Sequence, residues 1–463
     1  MRKLSAGNWR KTVYYLKRNG VKNTYYAVKE RLLGKRQEYV FCETKKDELQ
    51  AQRARKFENG PLFSILVPLF RTPETYLREL IDSVLEQTYP YLELILADAT
   101  EDDSVEAVVQ EYMAGEKERY GSRRIRYQRL SCNHGISGNS NEALQLVTGD
   151  YVGLLDHDDV LTPDALYKMA EQIERGMERG IEPLLLYSDE DKCNQDRSKY
   201  FEPHYKPDFN LDLLLSNNYI CHFTVIKREL IQKLGFRKEM DGAQDYDLIL
   251  RAVFEILPQE DRIVHVGKIL YHWRCHTGST AENPQSKTYA YEAGKRALQD
   301  MIQRMGWKAN AAHHRHLGFY RLEYRPDILT IRSDIGAVCG RLVARNGAIE
   351  GGAYDGQDRI LYKGLPKGFG GYMHRAVLSQ DVAAADIRFV KLRPECQPLL
   401  EELSGVPYTE EENGFFDWNT LPEKTDHVAL SLRLGAALRL AGYRIFWDPD
   451  LSRKIAKKDT VRK

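Results

Sequence analysis

The chain has 463 residues and a net charge of +1, with 42% hydrophobic and 29% charged residues. This mixture is typical of globular proteins with two or three domains and excludes a wholly disordered or collagen-like chain. Apolar runs such as Leu184-Leu185-Leu186 are far shorter than the roughly 20 residues of a membrane span, and the first residues lack the pattern of a secretory signal. The seven cysteines form no CxxC pair, which argues against a disulfide framework or a zinc site. We therefore expect a cytoplasmic protein.

Positive charge is concentrated at the two ends of the chain. Residues 1–36 sum to +10 and residues 452–463 to +5, which leaves −14 for the residues between them. An acidic body argues against a nucleic-acid-binding protein, because the neutralisation of phosphates needs a basic face on the body itself.

The basic N-terminal segment has the apolar spacing of a helix. Its two stripes, separated by the Asn19-Gly20 break, are Trp9, Val13 and Leu16, then Tyr25, Val28 and Leu32. Residues 1–36 fit a helix that lies on an anionic membrane surface. They also fit a helical arm that packs on its own body or on a second subunit. Residues 37–60 are predicted to form a linker helix that ends at Gly60.

From residue 63 onward, short apolar runs alternate with helical patterns. The predicted strands are 63–67, 92–97, 125–128 and 151–155, and the predicted helices are 77–85, 104–114 and 139–147. Strand–helix–strand units with short connections form right-handed parallel βαβ units, and ligands bind at the carboxyl ends of such strands. Asp98 and Asp156 lie at two of these ends.

Three carboxylates follow the fourth strand, in Asp156-His157-Asp158-Asp159. Such carboxylates repel each other unless a cation joins them, and hard oxygen ligands suit Mg²⁺ or Mn²⁺. The alternative is an acidic helix start, where carboxylates are also favourable.

Three later segments carry further candidate groups. Asp245 lies in the first turn of a predicted helix, either as a general base that faces a cleft or as an acidic helix start. The run from Leu270 to Thr280 contains two histidines, an arginine and hydroxyls, which can contact a pyrophosphate or complete a metal site or can be structural. Glu190 and Asp191 follow another strand and either bind acceptor hydroxyls or form a solvated acidic turn.

In this order, the segments resemble family 2 glycosyltransferases of the GT-A fold over roughly residues 62–300. The motifs that carry the resemblance are Ser64-Ile65-Leu66-Val67-Pro68, Ser83-Val84-Leu85-Glu86-Gln87-Thr88-Tyr89, the strand end at Asp98, Asp156-His157-Asp158-Asp159 and Gln244-Asp245-Tyr246-Asp247. The resemblance implies an α/β fold with a mostly parallel sheet flanked by helices. It also implies a nucleoside-diphosphate-sugar donor, Mn²⁺ or Mg²⁺ as cofactor and an inverting displacement.

The resemblance assigns roles to individual positions. It places Pro68, Phe70, Asp98, Gly135 and Asn141 at the nucleotide, Asp156 and Asp158 at the metal and diphosphate with Asp158 the direct ligand, Asp245 as the catalytic base, and His272 or His276 on the diphosphate or metal side. Glu190, Asp191 and Trp273 are the weaker acceptor candidates. Two positions depart from the family pattern, because Ala99 stands where a second carboxylate is usual and Gln244 where Glu is more common.

The C-terminal part contains a second, degenerate copy of one motif. Residues 426–434 repeat the apolar spacing and the arginine of residues 244–252, but His427 stands where Asp245 does. We therefore predict a truncated glycosyltransferase-like unit without catalytic groups, the alternative being an unrelated α/β domain. The predicted domains are a basic arm and linker (1–60), a GT-A domain (61–325) and this degenerate domain with its basic tail (326–463).

The predicted function is sugar transfer to a glycan or lipid-linked acceptor in cell-surface polysaccharide biosynthesis, at the inner face of the membrane if the arm binds lipid. A nucleotidyltransferase is one alternative, but the segment Leu69-Phe70-Arg71-Thr72-Pro73 lacks the glycines of a triphosphate-binding loop. A non-catalytic scaffold subunit is the other. The sugar, the acceptor and the nucleotide base are left open by the sequence.

Overall fold

The computed structural model describes residues 6–33, 39–275 and 288–455. The chain divides into two compact units. The central unit comprises Gln37–Phe209 and Asn218–Met305, and the terminal unit comprises Met1–Arg36, Asn210–Asn217 and Gly306–Lys463. This division falls after Met305, whereas the sequence placed a boundary at residue 325.

The helices are α1 (Ala6–Leu33), α2 (Lys46–Ala54), α3 (Glu74–Leu85), α4 (Ser104–Tyr120), α5 (Gly135–Gln145), α6 (Ala165–Glu178), α7 (Leu211–Leu214), α8 (Arg228–Leu234), α9 (Gln244–Ile256), α10 (Thr288–Arg304), α11 (Ile328–Ile331), α12 (Gln397–Ser404) and α13 (His427–Leu440). The strands are β1 (Phe63–Leu69), β2 (Leu92–Asp98), β3 (Ile125–Arg129), β4 (Tyr151–Leu154), β5 (Val160–Leu161), β6 (Leu185–Asn194), β7 (Tyr200–His204), β8 (Thr224–Lys227), β9 (Ile263–Cys275), β10 (Ala309–His313), β11 (Tyr320–Tyr324), β12 (Ile335–Val343), β13 (Ile349–Gly351), β14 (Ala353–Tyr354), β15 (Gln380–Asp381), β16 (Ala384–Ala385), β17 (Val390–Leu392) and β18 (Arg444–Lys454).

The central unit is built on one sheet with the order β3-β2-β1-β4-β8-β6-β9-β5, and β7 pairs with β6. Strands β3, β2, β1 and β4 are all parallel. Strands β1 and β2 are buried along their whole length, as expected for parallel strands covered by helices on both faces. The predicted α/β fold with a parallel sheet and flanking helices is therefore confirmed.

The second half of this sheet mixes strand directions. Strand β8 runs antiparallel to both β4 and β6, while β6 and β9 run parallel.

The predicted linker helix is shorter than expected, because α2 spans only Lys46–Ala54 and the residues from 39 to 45 are not helical.

The terminal unit contains a five-stranded sheet that repeats part of this topology. Strand β12 is antiparallel to β13 and β17 and parallel to β18, as β6 is antiparallel to β7 and β8 and parallel to β9. In both units two helices, α8 and α9 or α12 and α13, precede the last of these strands in the chain. Both parallel ladders also contain a register shift.

Helix α1 belongs to the terminal unit and packs on it by one side. The Glu30 carboxylate accepts hydrogen bonds from the backbone N–H groups of Gly370 and Gly371, at 2.9 and 2.7 Å. On another side, the apolar stripe Val21, Tyr25, Val28 and Leu32 is 40–79% exposed. The predicted break is confirmed, because Gly20 has φ 73° and interrupts the helix. Among the described residues, no helix is both long and apolar enough to cross a bilayer.

The tight packing of β4 makes Gly153 a test of the central unit's core. A Cβ atom there would lie 2.7 Å from Phe223 Cζ and 2.9 Å from Ile65 Cδ1. We expect Gly153→Ala to destabilise the central unit by about 1–3 kcal/mol, because overpacking forces its neighbours to move. Thermal unfolding monitored by calorimetry measures the effect.

Gly115→Ala is the matched control. Gly115 lies within α4, and a Cβ atom there would meet no tertiary neighbour within 4 Å. We therefore expect about 0.5–1 kcal/mol of stabilisation from better helix propensity. Equal effects of the two substitutions would contradict the packing of β4.

Candidate active site

The candidate site begins at the turn that follows β4, where Asp159 is fully buried. Its Oδ2 accepts a hydrogen bond from the Tyr271 hydroxyl at 2.5 Å, and its Oδ1 accepts one from the Arg274 backbone N–H at 2.7 Å. Burial, and then the nearby carboxylates of Asp158 and Asp156, raise the pKa of Asp159 well above its usual range. Strand β9 thus holds the acidic turn in place.

Two further side chains fix this turn. Arg274 Nε donates to the Asp158 carbonyl at 2.6 Å, and Nη2 of the same guanidinium donates to Glu79 at 2.5 Å. His157 Nδ1 lies 2.8 Å from the Thr72 hydroxyl, which joins the turn to the loop after β1.

The structure brings Asp156 and Asp159 together with His222. One ligand atom from each lies within 4.8 Å of the others, and among the described residues this is the one group of three or more His, Cys, Asp or Glu side chains so arranged. Desolvation, and then the charges of Asp158 and Asp245, raise the pKa of Asp156 although half of its side chain is exposed. Two carboxylates and an imidazole are a donor set that Mn²⁺ accepts.

Sequence reasoning missed His222, which lies in the loop before β8. Its ring stacks on Tyr271 at 4.5 Å and lies edge-on to Trp273 at 5.8 Å. Its side chain is 12% exposed, and its Nε2 is 4.0 Å from Asp156 Oδ2. No motif marks this position, because a single histidine in a loop has no distinctive spacing.

His272, expected on the metal side, is engaged elsewhere. Its Nδ1 lies 2.5 Å from Asp191 Oδ1, and the rings of Phe41 and Tyr200 each lie 4.5 Å from its ring. Because side chains alternate along a strand, His272 points away from the face on which Tyr271 and Trp273 meet His222. His272 thus contacts the segment before α2, and its place on the metal side stays a prediction. The other candidate, His276, lies outside the described residues.

The two carboxylates expected to bind acceptor hydroxyls are also buried. Asp191 accepts a hydrogen bond from the Tyr39 hydroxyl at 2.6 Å in addition to its contact with His272. Glu190 contacts His204 and Lys206. Burial acts to raise the pKa of Glu190, but the charge of Lys206 and the hydrogen bond with His204 outweigh burial and lower this pKa to about 2. Both carboxylates are thus engaged by protein groups. Their acceptor roles stay predictions, as does that of Trp273, which is half-buried beside His222.

The predicted base, Asp245, lies in the first turn of α9, as expected. Its Oδ2 accepts a hydrogen bond from Asn218 Nδ2 at 2.9 Å and one from the Cys221 thiol at 3.3 Å. The neighbouring carboxylate, Asp247, is buried against Arg251, with 2.7 Å between Nη2 and Oδ2. Of the two carboxylates, Asp247 is therefore held in an ion pair, and the role of Asp245 as base stays a prediction.

The residues expected at the nucleotide divide into two groups. Pro68 and Phe70 lie at the end of β1, and Asp98 ends β2 with its carboxylate bound to the Tyr127 hydroxyl at 2.8 Å. Asn141 instead uses both ends of its amide on the backbone of Phe236, at 2.8 Å each. The Asn141 amide thus joins two parts of the chain, and its role at the nucleotide stays a prediction.

Gly135 begins α5 with φ 80°, and a Cβ there would lie 2.8 Å from Asp241 Oδ2. The position therefore needs glycine for the close approach of Asp241, whatever contact it makes with a nucleotide.

A cavity of about 550 Å³ lies elsewhere in the central unit. It is lined by Phe41, Glu79, Asp82, Arg197 and His272 among others, and by none of Asp156, Asp158 and Asp245.

Comparison with known proteins finds relatives for slightly more than half of the chain. Residues 64–235 match the family model described as Glycosyl transferase family 2. The chain is 38% identical over 261 residues to the uncharacterized protein y4gI of Sinorhizobium fredii, which is 56% of this chain and 27% of that protein. It is 32% identical over 271 residues to the O-antigen biosynthesis protein RfbC of Myxococcus xanthus, which is 58% of this chain and 20% of that protein.

A third relative is the chondroitin synthase of Escherichia coli, 26% identical over 241 residues, or 51% of this chain and 32% of that protein. The matches span about a third or less of the length of each of these relatives. Residues 64–235, which carry the acidic turn, His222 and most of the sheet, belong to glycosyl transferase family 2.

Proposed function

We propose that the protein transfers a sugar from a nucleoside-diphosphate sugar to a hydroxyl of a glycan or lipid-linked acceptor, in cell-surface polysaccharide biosynthesis. The observation that carries this proposal is the loop 218–222, where Cys221 contacts Asp245 and the next residue, His222, contacts Asp156. Two consecutive residues of this loop therefore contact the candidate base and take part in the candidate metal group, respectively. The family domain and the relative named for O-antigen biosynthesis support the same reaction class.

In this proposal Asp245 removes the proton of the acceptor hydroxyl as general base. The resulting oxygen nucleophile attacks the anomeric carbon on the face opposite the diphosphate, and the configuration there inverts. Asp156, Asp159 and His222 would hold a divalent cation, and Asp158 remains the ligand predicted by the family resemblance. A cation bound there supplies positive charge to offset that of the departing nucleoside diphosphate.

We also propose that the terminal unit is a truncated copy of the second half of the glycosyltransferase domain. The shared strand directions of β12, β13, β17 and β18 with β6, β7, β8 and β9 support this. In this copy α13 corresponds to α9, and its N-cap Asp426 accepts hydrogen bonds from the Val428 and Ala429 backbone N–H groups. His427 then stands where Asp245 does, so the copy has lost the base.

Substitution of the base tests the reaction. We expect Asp245→Asn to lower kcat by about two to four powers of ten, because an amide cannot take the proton from the hydroxyl of the sugar acceptor. Donor affinity should change little, since the substitution keeps the shape of the side chain. Release of nucleoside diphosphate and nucleotide-binding calorimetry measure the two quantities.

His427→Asn is the matched control, because it changes the first turn of the corresponding helix in the proposed copy. It should leave kcat within about twofold of wild type, because His427 lies in the terminal unit, outside the proposed catalytic group. Full activity of Asp245→Asn would contradict the base assignment, and equal losses in both variants would contradict the proposed division of roles.

Metal binding is measured separately from turnover. We expect Mn²⁺ titrated into the protein to bind at one site, and Asp156→Asn or His222→Ala to weaken that binding at least about tenfold, as loss of metal-site contacts does. Electron paramagnetic resonance of free Mn²⁺ gives the affinity. An unchanged Mn²⁺ affinity in both variants would show that the ion binds elsewhere. Asp358→Asn is the control, because Asp358 is exposed.

We further propose that α1 binds an anionic membrane at the cytoplasmic face, where it brings the enzyme to a lipid-linked acceptor. The exposed apolar stripe Val21, Tyr25, Val28 and Leu32 and the exposed Lys22 and Lys29 beside it support this interpretation. Apolar residues with neighbouring lysines are the pattern of an interfacial helix.

Sedimentation with lipid vesicles tests the arm. We expect binding to phosphatidylglycerol vesicles, and a loss of at least about tenfold for Val21→Asp/Leu32→Asp, because burying charge in the interface is unfavourable. Leu440→Asp is the control, since Leu440 is 92% exposed on α13. Binding that is equal for all three proteins would contradict the role of the stripe.

A further inference from the structure

Lys206 is a buried cation that the proposed reaction does not use. It follows β7, and its side chain is fully excluded from solvent. Its ammonium group donates hydrogen bonds to the carbonyl of Ile220 at 2.7 Å and to the carbonyl of His222, and it lies 3.7 Å from Glu190 Oε2. Three partners thus take the place of water around this charge.

The two carbonyls that Lys206 binds lie on either side of Cys221. Cys221 itself has φ 25°, a backbone conformation that residues other than glycine rarely adopt. Such conformations persist only where the surrounding contacts impose them. The ammonium group, which binds the carbonyls before and after this position, is placed to impose it.

This backbone conformation directs the side chains of Cys221 and His222 toward two different carboxylates. The Cys221 thiol donates to Asp245 Oδ2, and His222 reaches Asp156. Asn218 reinforces the first contact, because its amide donates to the same Oδ2 and accepts from the Cys221 backbone N–H at 3.3 Å. Within the described residues, Asp245 Oδ1 has no hydrogen-bond partner, so it is the oxygen left for an acceptor hydroxyl.

The thiol is a donor in this contact. Burial, and then the charge of Asp245, raise the pKa of Cys221 well above its usual range. A protonated thiol can donate to the carboxylate, whereas a thiolate would repel it.

A buried ion pair is weak evidence for a role in stability, because well-packed apolar side chains of similar volume often serve the fold as well. Lys206 and Glu190 therefore call for another explanation. The contacts of Lys206 with the 220 and 222 carbonyls provide one, since they set the orientation of the residues that contact Asp245 and Asp156.

We propose that Lys206 is a positioning residue, which holds the loop 218–222 so that Asp245 presents Oδ1 to the acceptor. This inference rests on the proposed function for its effect on catalysis, but the contact itself makes a prediction that needs no activity.

The test compares Lys206→Met/Glu190→Gln, Lys206→Arg and Lys227→Met with wild type. The double substitution removes both charges and leaves neither buried alone. Lys206→Arg keeps the charge and the donors. Lys227→Met is the control, because Lys227 ends the strand that follows the loop, β8, and pairs with Glu182 at 2.8 Å.

The first readout is the rate at which iodoacetamide alkylates Cys221 in the folded proteins, followed by peptide mass spectrometry. We expect the double variant to react at least about tenfold faster than wild type, since release of the loop frees the thiol from Asp245. Lys227→Met should react at the wild-type rate. Equal rates in the double variant and wild type would overturn the inference, whether or not the protein transfers sugar.

The second readout is steady-state kinetics at saturating Mn²⁺. We expect kcat of the double variant to fall about ten- to a hundredfold, because contacts that hold a functional residue in place are lost. The KM for the donor should stay within about twofold of the wild-type value. Lys206→Arg should recover part of kcat. A kcat that matches wild type once corrected for the folded fraction would overturn the positioning role, whereas absence of turnover in wild type would instead contradict the proposed function.

Discussion

The repulsion among carboxylates at the end of β4 is the constraint around which the central unit is organised. Asp156, Asp158 and Asp159 lie within four residues, and Asp245 adds its charge to theirs. Around them the structure places compensating groups, namely the Tyr271 hydroxyl, the Arg274 backbone and guanidinium, and the His222 ring. Most of these groups come from β9 and from the loop before β8, so the turn depends on strands far from it in the chain.

These contacts link the two halves of the sheet. Strands β1, β2 and β4 are parallel and end near Asp98 and the acidic turn, as ligand-binding edges of such sheets do. The second half contributes Asp245, His222 and Trp273 through α9, the 218–222 loop and β9. A displacement of that loop would therefore affect the candidate base and the candidate metal group together.

Much of this arrangement could be predicted from the sequence. The buried parallel strands have continuous apolar runs, so the fold, the acidic turn and Asp245 at the start of α9 followed from pattern and position. His222, Cys221 and Lys206 could not be found in this way, because they are brought together by tertiary structure and have no spacing in common. The contacts of His272 and Asp191 could not be predicted either, since neighbouring residues of a strand point to opposite faces, and the face of these two residues meets Tyr39 and Phe41.

Asn141 shows the same limit, because its amide is used to join α5 to the backbone before α9. Burial and hydrogen bonding decide which of several polar residues are available for chemistry, and neither can be predicted from the amino-acid sequence of a single protein.

Thermal stability with a panel of nucleoside diphosphates, with and without Mn²⁺, tests the central claim most directly. A ligand at about a hundred times its Kd stabilises the folded state by roughly 2.7 kcal/mol. We predict a shift of the melting temperature with one nucleoside diphosphate that requires Mn²⁺ and disappears in Asp156→Asn. No shift with any diphosphate, for folded protein, would contradict the assignment of this site as a nucleotide-sugar site.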